Sequence, residues 1–214
     1  MSYAVKEMFL TLQGEGRQAG RRAVFMRFAG CNLWSGREAD KATAQCTFCD
    51  TDFVGIDGDG GGRYADAAAL AEAAATLWAE GIEVEGGQPF VVLTGGEPLL
   101  QVDRVLIDAL HARSFEVAVE TNGTLPAPPG LDWICVSPKA GTEIAQRSGD
   151  ELKLVWPQPG LDVRAMERWA FRHFLVSPMD GPDLHAAEAA AIAFVLANPR
   201  WRLSTQTHKA MGIR

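Results

Sequence analysis

Apolar and polar positions along this chain fall into two rhythms. Short runs alternate with period two, or stay apolar for a few residues and then stop at a glycine, a proline or one polar residue, which marks strands. On that pattern strands are predicted at 5–12, 23–28, 90–94, 115–120, 133–136, 151–155, 173–176 and 201–204. Three segments instead follow helical spacing. Residues 66–80 are alanine-rich with Leu70, Ala74, Leu77 and Trp78 on one stripe, and 99–112 carries Leu99, Val102, Leu106 and Leu110. The third, 183–197, opens on Asp183 just after Pro182, a combination that suits a helix N-cap. Strands alternating with helices in the first half predict a parallel sheet with crossover helices. Three long helices are too few to follow every strand. The expected fold class is therefore α/β, an abbreviated partial (βα) barrel of about six parallel strands and three main helices, built as one domain over residues 1–214.

Polar residues or glycines close most of the strands: Gln13, Arg27, Thr94, Glu120, Ser137, Ser177 and Gln206. Ligands of parallel sheets and barrels gather at that carboxyl edge. Arg27, polar among apolar neighbours, either pairs with a carboxylate of the chain or waits for one on a substrate. The turn Gln13-Gly14-Glu15-Gly16 contains G-x-G, but no helix follows it, so a dinucleotide site is rejected. Gln13 and Glu15 there either face a ligand or sit in a solvated turn.

Composition narrows the function classes. The 214 residues are 47% hydrophobic, enough for a sizeable core, and the formal net charge is −7. An acidic chain lacks the basic footprint of a nucleic-acid binder. No apolar run is long enough to span a membrane, and residues 1–16 lack the basic start and apolar block of a signal peptide. The expectations are no nucleic acid, no membrane and a cytoplasmic location. The glycine-rich segment 52–62 reads as a flexible connector, and its Asp/Gly run lacks the glutamate spacing of a calcium loop.

The candidate chemistry lies in the cysteines. Cys31 follows the strand at 23–28; fourteen residues later come Cys46 and Cys49, spaced C-x-x-C, and the fourth cysteine, Cys135, lies in an apolar strand and reads as core. Three thiolates on one loop can hold three corners of a cubane iron–sulfur cluster and leave one iron open. A structural zinc wants four ligands, and a redox C-x-x-C needs only two; spacing alone leaves these readings open. The intervening residues 32–45, with the charged run Arg37-Glu38-Ala39-Asp40-Lys41, read as a solvated insertion with a turn of helix. Downstream, Thr94-Gly95-Gly96-Glu97-Pro98 follows a buried strand; its glycines let backbone approach a ligand, and Glu97 can accept from an ammonium.

The cysteine loop and this glycine pair together resemble the radical S-adenosylmethionine (SAM) superfamily, whose common motif is C-x3-C-x2-C, here widened at the first gap. Leu12-Gln13-Gly14-Glu15-Gly16, Arg27-Phe28-Ala29-Gly30-Cys31, Cys49-Asp50-Thr51, Gly95-Gly96-Glu97-Pro98, Glu120-Thr121-Asn122-Gly123, Ser137-Pro138-Lys139 and Gln206-Thr207-His208-Lys209, in that order along nearly the whole chain, resemble the 7-carboxy-7-deazaguanine synthase family. The resemblance implies a lyase that contracts the ring of 6-carboxy-5,6,7,8-tetrahydropterin with loss of ammonia. It also implies a 4Fe–4S cluster, SAM and Mg²⁺, a homodimer, and an electron donor such as flavodoxin. Carried over residue by residue, it implies that Cys31, Cys46 and Cys49, on a cluster loop at 30–51, ligate iron. Phe48, Cys49, Asp50, Gly96, Ser137, Pro138, Lys139, Ser177, Pro178, Met179 and Asp180 would contact SAM. Leu12, Gln13, Gly14, Arg27, Thr94 and Arg214 would hold substrate, and Thr51 would reach Mg²⁺. Another radical SAM enzyme, such as a glycyl-radical activase, would share the cluster but needs a protein substrate. A zinc-binding interaction module would explain only Cys46 and Cys49.

Overall fold

A computed structural model of the chain describes residues 2–80 and 87–213. Among the described residues nine strands form one sheet in the order β3-β1-β2-β4-β5-β6-β7-β8-β9. They are β1 (Tyr3–Leu12), β2 (Arg22–Phe28), β3 (Gly62–Tyr64), β4 (Phe90–Gly95), β5 (Glu116–Thr121), β6 (Trp133–Val136), β7 (Ser148–Trp156), β8 (Ala170–Pro178) and β9 (Trp201–Leu203). From β2 across to β9 every neighbouring pair is parallel. β1 runs antiparallel to both β2 and β3. The parallel array is thus larger than the pattern suggested, and β3 rises from the glycine-rich stretch read as a connector. There Gly58 and Gly61 lie so close to the Lys6 carbonyl that a side chain at either position would collide.

The helices are α1 (Glu38–Lys41), α2 (Ala67–Ala79), α3 (Arg104–His111), α4 (Val163–Met166), α5 (Leu184–Ala197) and α6 (Thr207–Met211). The three long ones match the three predicted. Asp66 caps α2 by accepting from the Ala69 N–H, and Asp103 caps α3 by accepting from the Leu106 N–H, each at 2.9 Å. Because Asp103 sets the start of α3, Leu99 falls in a separate 3-10 turn, Pro98–Leu100. Asp183 stands at the start of α5, but its side chain makes no capping hydrogen bond, contrary to the sequence reading.

Strand alternation sorts the side chains into two faces. Val24, Met26, Val91, Leu93, Val117 and Val119 pack on one face against Leu70, Ala74, Leu106, Ile107 and Leu110 of α2 and α3. Farther along the same face, Leu152, Leu154 and Val176 meet Ala191 of α5 and Trp201. The other face begins apolar at the amino ends of the strands, with Ala23, Phe90, Val92 and Ala118. Two residues on from these it turns polar: Thr94 after Val92, Glu120 after Ala118, and in the same alternation Arg27, Cys135, Lys153 and Ser177. The two cavities described below are lined from that face, near the carboxyl ends of the strands. No helix among the described residues is long and apolar enough to cross a membrane.

Candidate active site

The cluster loop is folded back on itself. Gln45 N–H donates to the Leu33 carbonyl at 3.1 Å, closing the insertion at its base, while α1 occupies its outer end. Trp34 stacks edge-on against Phe53, with centroids 5.5 Å apart. These contacts remove the spacing problem: the fourteen-residue gap becomes a closed excursion that returns Cys46 to the neighbourhood of Cys31. Asn32 ties the loop to the turn after β5, donating to Thr124 Oγ1 at 2.7 Å and accepting from Asn122 Nδ2 at 3.0 Å.

Cys31, Cys46 and Cys49 line one cavity of about 190 Å³ with Phe48, Asp50, Thr51, Thr94, Gly96, Ser137, Lys139 and the turn Ser177, Pro178, Met179 and Asp180. Pro138, placed by the resemblance among the SAM contacts, is buried behind this wall, its carbonyl facing the Gln158 amide at 3.4 Å. Cys46 donates to Cys49, so Cys46 is pushed well up while Cys49 is drawn down to about 6, helped by the N–H and hydroxyl of Thr51. Burial raises Cys31. Among the described residues no three His, Cys, Asp or Glu side chains converge as the ligands of a single ion must. Ligands of a cubane sit at separate corners and need not meet at one point. Three soft thiol donors facing a shared cavity fit such a cluster.

A Cβ at Gly96 would collide with the Gly30 carbonyl, so glycine there is what lets the β4 turn pass beneath the cluster loop. Glu97 does not face the cavity. It is fully buried and accepts from the Leu99 N–H, the Thr121 hydroxyl and the Asn122 N–H at 2.8–2.9 Å. Its carboxylate joins the end of β4 to the end of β5, and the sequence reading of it as an acceptor for a ligand's ammonium is corrected on that ground. Lys139 Nζ donates to the Ser137 carbonyl and hydroxyl at 2.7 and 2.8 Å, and lies 5.9 Å from the Phe48 ring centroid. Desolvation lowers its pKa.

A second cavity, about 260 Å³, adjoins the first; Glu15, Asp50, Thr51, Thr94, Glu120 and Gln206 line both. Leu12, Gln13, Gly14 and Arg27 line the second, so the structure brings together the proposed substrate residues it describes; Arg214 lies outside the described residues. Of the two readings of Arg27, the structure shows the first: its Nε pairs with Glu7 Oε1 at 2.8 Å, both side chains mostly buried. The pair still forms part of the cavity wall.

Between the cavities lies a charged floor that the sequence reading missed in part. Lys153, only 5% exposed, reaches Glu15 Oε2 at 2.6 Å and Glu120 Oε1 at 3.8 Å. Gln13 Nε2 donates to Glu120 at 3.0 Å, and Gln206 Nε2 to Glu15 at 2.8 Å. Burial pushes Glu15 up, but Lys153 more than offsets it and holds the carboxyl at about 2. Burial pulls Lys153 down, yet Glu120 and Glu15 together carry it well above its ordinary value. Cys135 is buried as expected but lines this floor rather than a wholly apolar core.

No protein-family model matches the chain. Curated proteins do, over their full length. The chain is 62% identical to 7-carboxy-7-deazaguanine synthase of Bradyrhizobium diazoefficiens and 59% identical to that of Bordetella pertussis, covering 100% of each chain in both comparisons. The Bacteroides thetaiotaomicron protein of the same name is 36% identical, again with 100% of both chains covered. Among solved structures, that of QueE from Escherichia coli aligns with a TM-score of 0.70 at 26% identity, covering 97% of this chain and 95% of the other. Full-length identity at this level, over a site with the cysteine loop and strand-end residues in place, means that the chain belongs to the 7-carboxy-7-deazaguanine synthase family.

Proposed function

We propose that the chain converts 6-carboxy-5,6,7,8-tetrahydropterin to 7-carboxy-7-deazaguanine with loss of ammonia, as a radical SAM lyase in 7-deazapurine (queuosine) formation. The observation that carries this reading is the pair of adjoining cavities: one walled by the three cluster-loop thiols, the other by Arg27 and the Gln13-Gly14 turn, with shared residues between them. In this reading residues 1–214 form one radical SAM domain, an abbreviated partial barrel, acting as a cytoplasmic homodimer served by an electron donor such as flavodoxin.

Cys31, Cys46 and Cys49 would hold the 4Fe–4S cluster. Phe48, Asp50, Gly96, Ser137, Lys139 and the 177–180 turn would seat SAM in the first cavity, with Pro138 bracing them from behind. When bound, the cluster and SAM supply an electron and a carbon-centred radical. The chain's part is to hold the pterin in the second cavity within reach of it, and to exclude water. Thr51, which lines both cavities, would offer one oxygen to Mg²⁺, with the substrate carboxylate as another; such a cation keeps waters and takes few protein ligands. Turnover that ignores Mg²⁺ chelation would remove the metal from this account.

Arg27 tests the substrate assignment. A guanidinium suits the pterin carboxylate, and its present partner Glu7 keeps it oriented toward the cavity. Arg27→Ala should weaken pterin binding by roughly 1.5–3 kcal/mol while SAM still binds, as read by titrating each ligand into cluster-loaded protein. Unchanged pterin affinity would leave Arg27 as an ion-pair residue only.

A further inference from the structure

The Gln206-Thr207-His208-Lys209 segment has no role in the reading above beyond the Gln206 contact. Its first three residues touch the Gly14-Glu15 turn, and the fourth reaches two other segments. Thr207 donates to the Gly14 carbonyl through its N–H at 3.0 Å and its hydroxyl at 2.9 Å. The His208 ring lies so close to Gly14 that any Cβ there would collide with it. Gln206 holds Glu15. These contacts pin the start of α6 to the Gln13–Gly14 turn and place Lys209 on the wall of the second cavity, within reach of two carboxylates that line the first. Lys209 Nζ then donates to Asp50 Oδ2, in the cluster loop, and to Asp180 Oδ2, after β8, both at 2.6 Å. The two carboxylates come from different segments, the cluster loop and the turn after β8, and both help line the first cavity.

We infer that Lys209 is a positioning residue for SAM: by clamping Asp50 to Asp180 it fixes the spacing of the loop and the turn that line the first cavity. The inference rests on reading that cavity as the SAM site. Two carboxylates gathered around one ammonium repel each other once it is removed, and the loop and the turn that carry them then separate. Among the described residues, Lys209 is the side chain that pairs with both carboxylates and so joins the cluster loop to the turn after β8. The ion pairs are partly exposed, and exposed pairs contribute little to overall stability. The clamp should therefore be visible in ligand affinity and not in the melting temperature, which separates positioning from a merely structural role.

The test measures SAM dissociation constants by anaerobic equilibrium dialysis on cluster-reconstituted parent, Lys209→Met and Lys209→Arg proteins, with iron content and melting temperature alongside. Lys209→Met should bind SAM roughly tenfold more weakly with unchanged iron content and melting temperature, and Lys209→Arg, which keeps the charge and the reach, should regain most of the loss. Parent-like affinity in Lys209→Met would overturn the inference. So would a loss that follows a lowered melting temperature and is not recovered by arginine. A parent that takes up iron and sulfide but binds no SAM would instead overturn the functional reading on which the clamp depends.

Discussion

Replacing Cys31, Cys46 or Cys49 by Ala should in each case abolish the iron–sulfur cluster and with it all activity, because three thiolates leave no spare ligand. Cys135→Ala should keep a full cluster, although Cys135 lines the same cavity. Its thiol sits on the floor in β6, and burial holds it protonated, well above the ordinary range. The loop thiols instead form a cooperating set, with Cys49 already drawn toward the thiolate by Cys46 and Thr51. Iron and sulfide analysis of anaerobically reconstituted variants, with the brown visible absorption, gives the answer. A Cys31→Ala protein with full iron would mean that the closed insertion does not deliver Cys31 to the cluster. A colourless parent containing zinc would return the loop to a structural metal.

Lys153→Met should destabilise the fold by roughly 3–5 kcal/mol, the range for leaving buried charge without its partner. Glu15 and Glu120 would then face each other across the floor with no cation, since Lys139 is committed to Ser137. A second change, Glu15→Gln, made in the Lys153→Met background should recover part of the loss by removing one stranded charge. Denaturant unfolding of the parent and both variants measures this, and a Lys153→Met protein as stable as the parent would contradict the ion-pair account. The pair also sets a pH dependence. Glu15, at about 2 in the fold against an ordinary 4.5, contributes stability that is present above 4.5 and is lost as pH falls toward 2. Lys153, raised above its ordinary 10.5, contributes stability that is complete below that value and is lost only in strong base.

What the chain discloses before folding follows from how local each signal is. The cysteine loop, the Gly95-Gly96 turn and the polar strand ends are local, and they do come together around two adjoining cavities. The long helices were legible because apolar spacing and alanine-rich composition act within a few turns, whereas the Asp103 cap went unread and the second helix was started too early, at Leu99. Glu97 misled because its partners Thr121 and Asn122 lie on the next strand, and nothing near Glu97 in sequence announces them. Lys153 was visible as a charge between Leu152 and Leu154, but alternation alone does not say which face the helices cover. Only the crossovers of α2, α3 and α5 to one side leave Lys153 facing the site. β3 was missed because glycine there serves close packing against Lys6 rather than flexibility. α6 is too short for periodicity to show and exists through its contacts with Gly14.

The central claim is that this chain turns a carboxytetrahydropterin into a deazapurine, and single-vessel stoichiometry tests it most directly. Reconstituted, reduced protein is incubated anaerobically with SAM, Mg²⁺ and 6-carboxy-5,6,7,8-tetrahydropterin, and both 7-carboxy-7-deazaguanine and ammonia are measured over time. The account predicts that the two appear together, one for one, and that Cys49→Ala protein makes neither. Unchanged pterin beside an intact cluster and bound SAM, or ammonia released without any deazapurine, would contradict it.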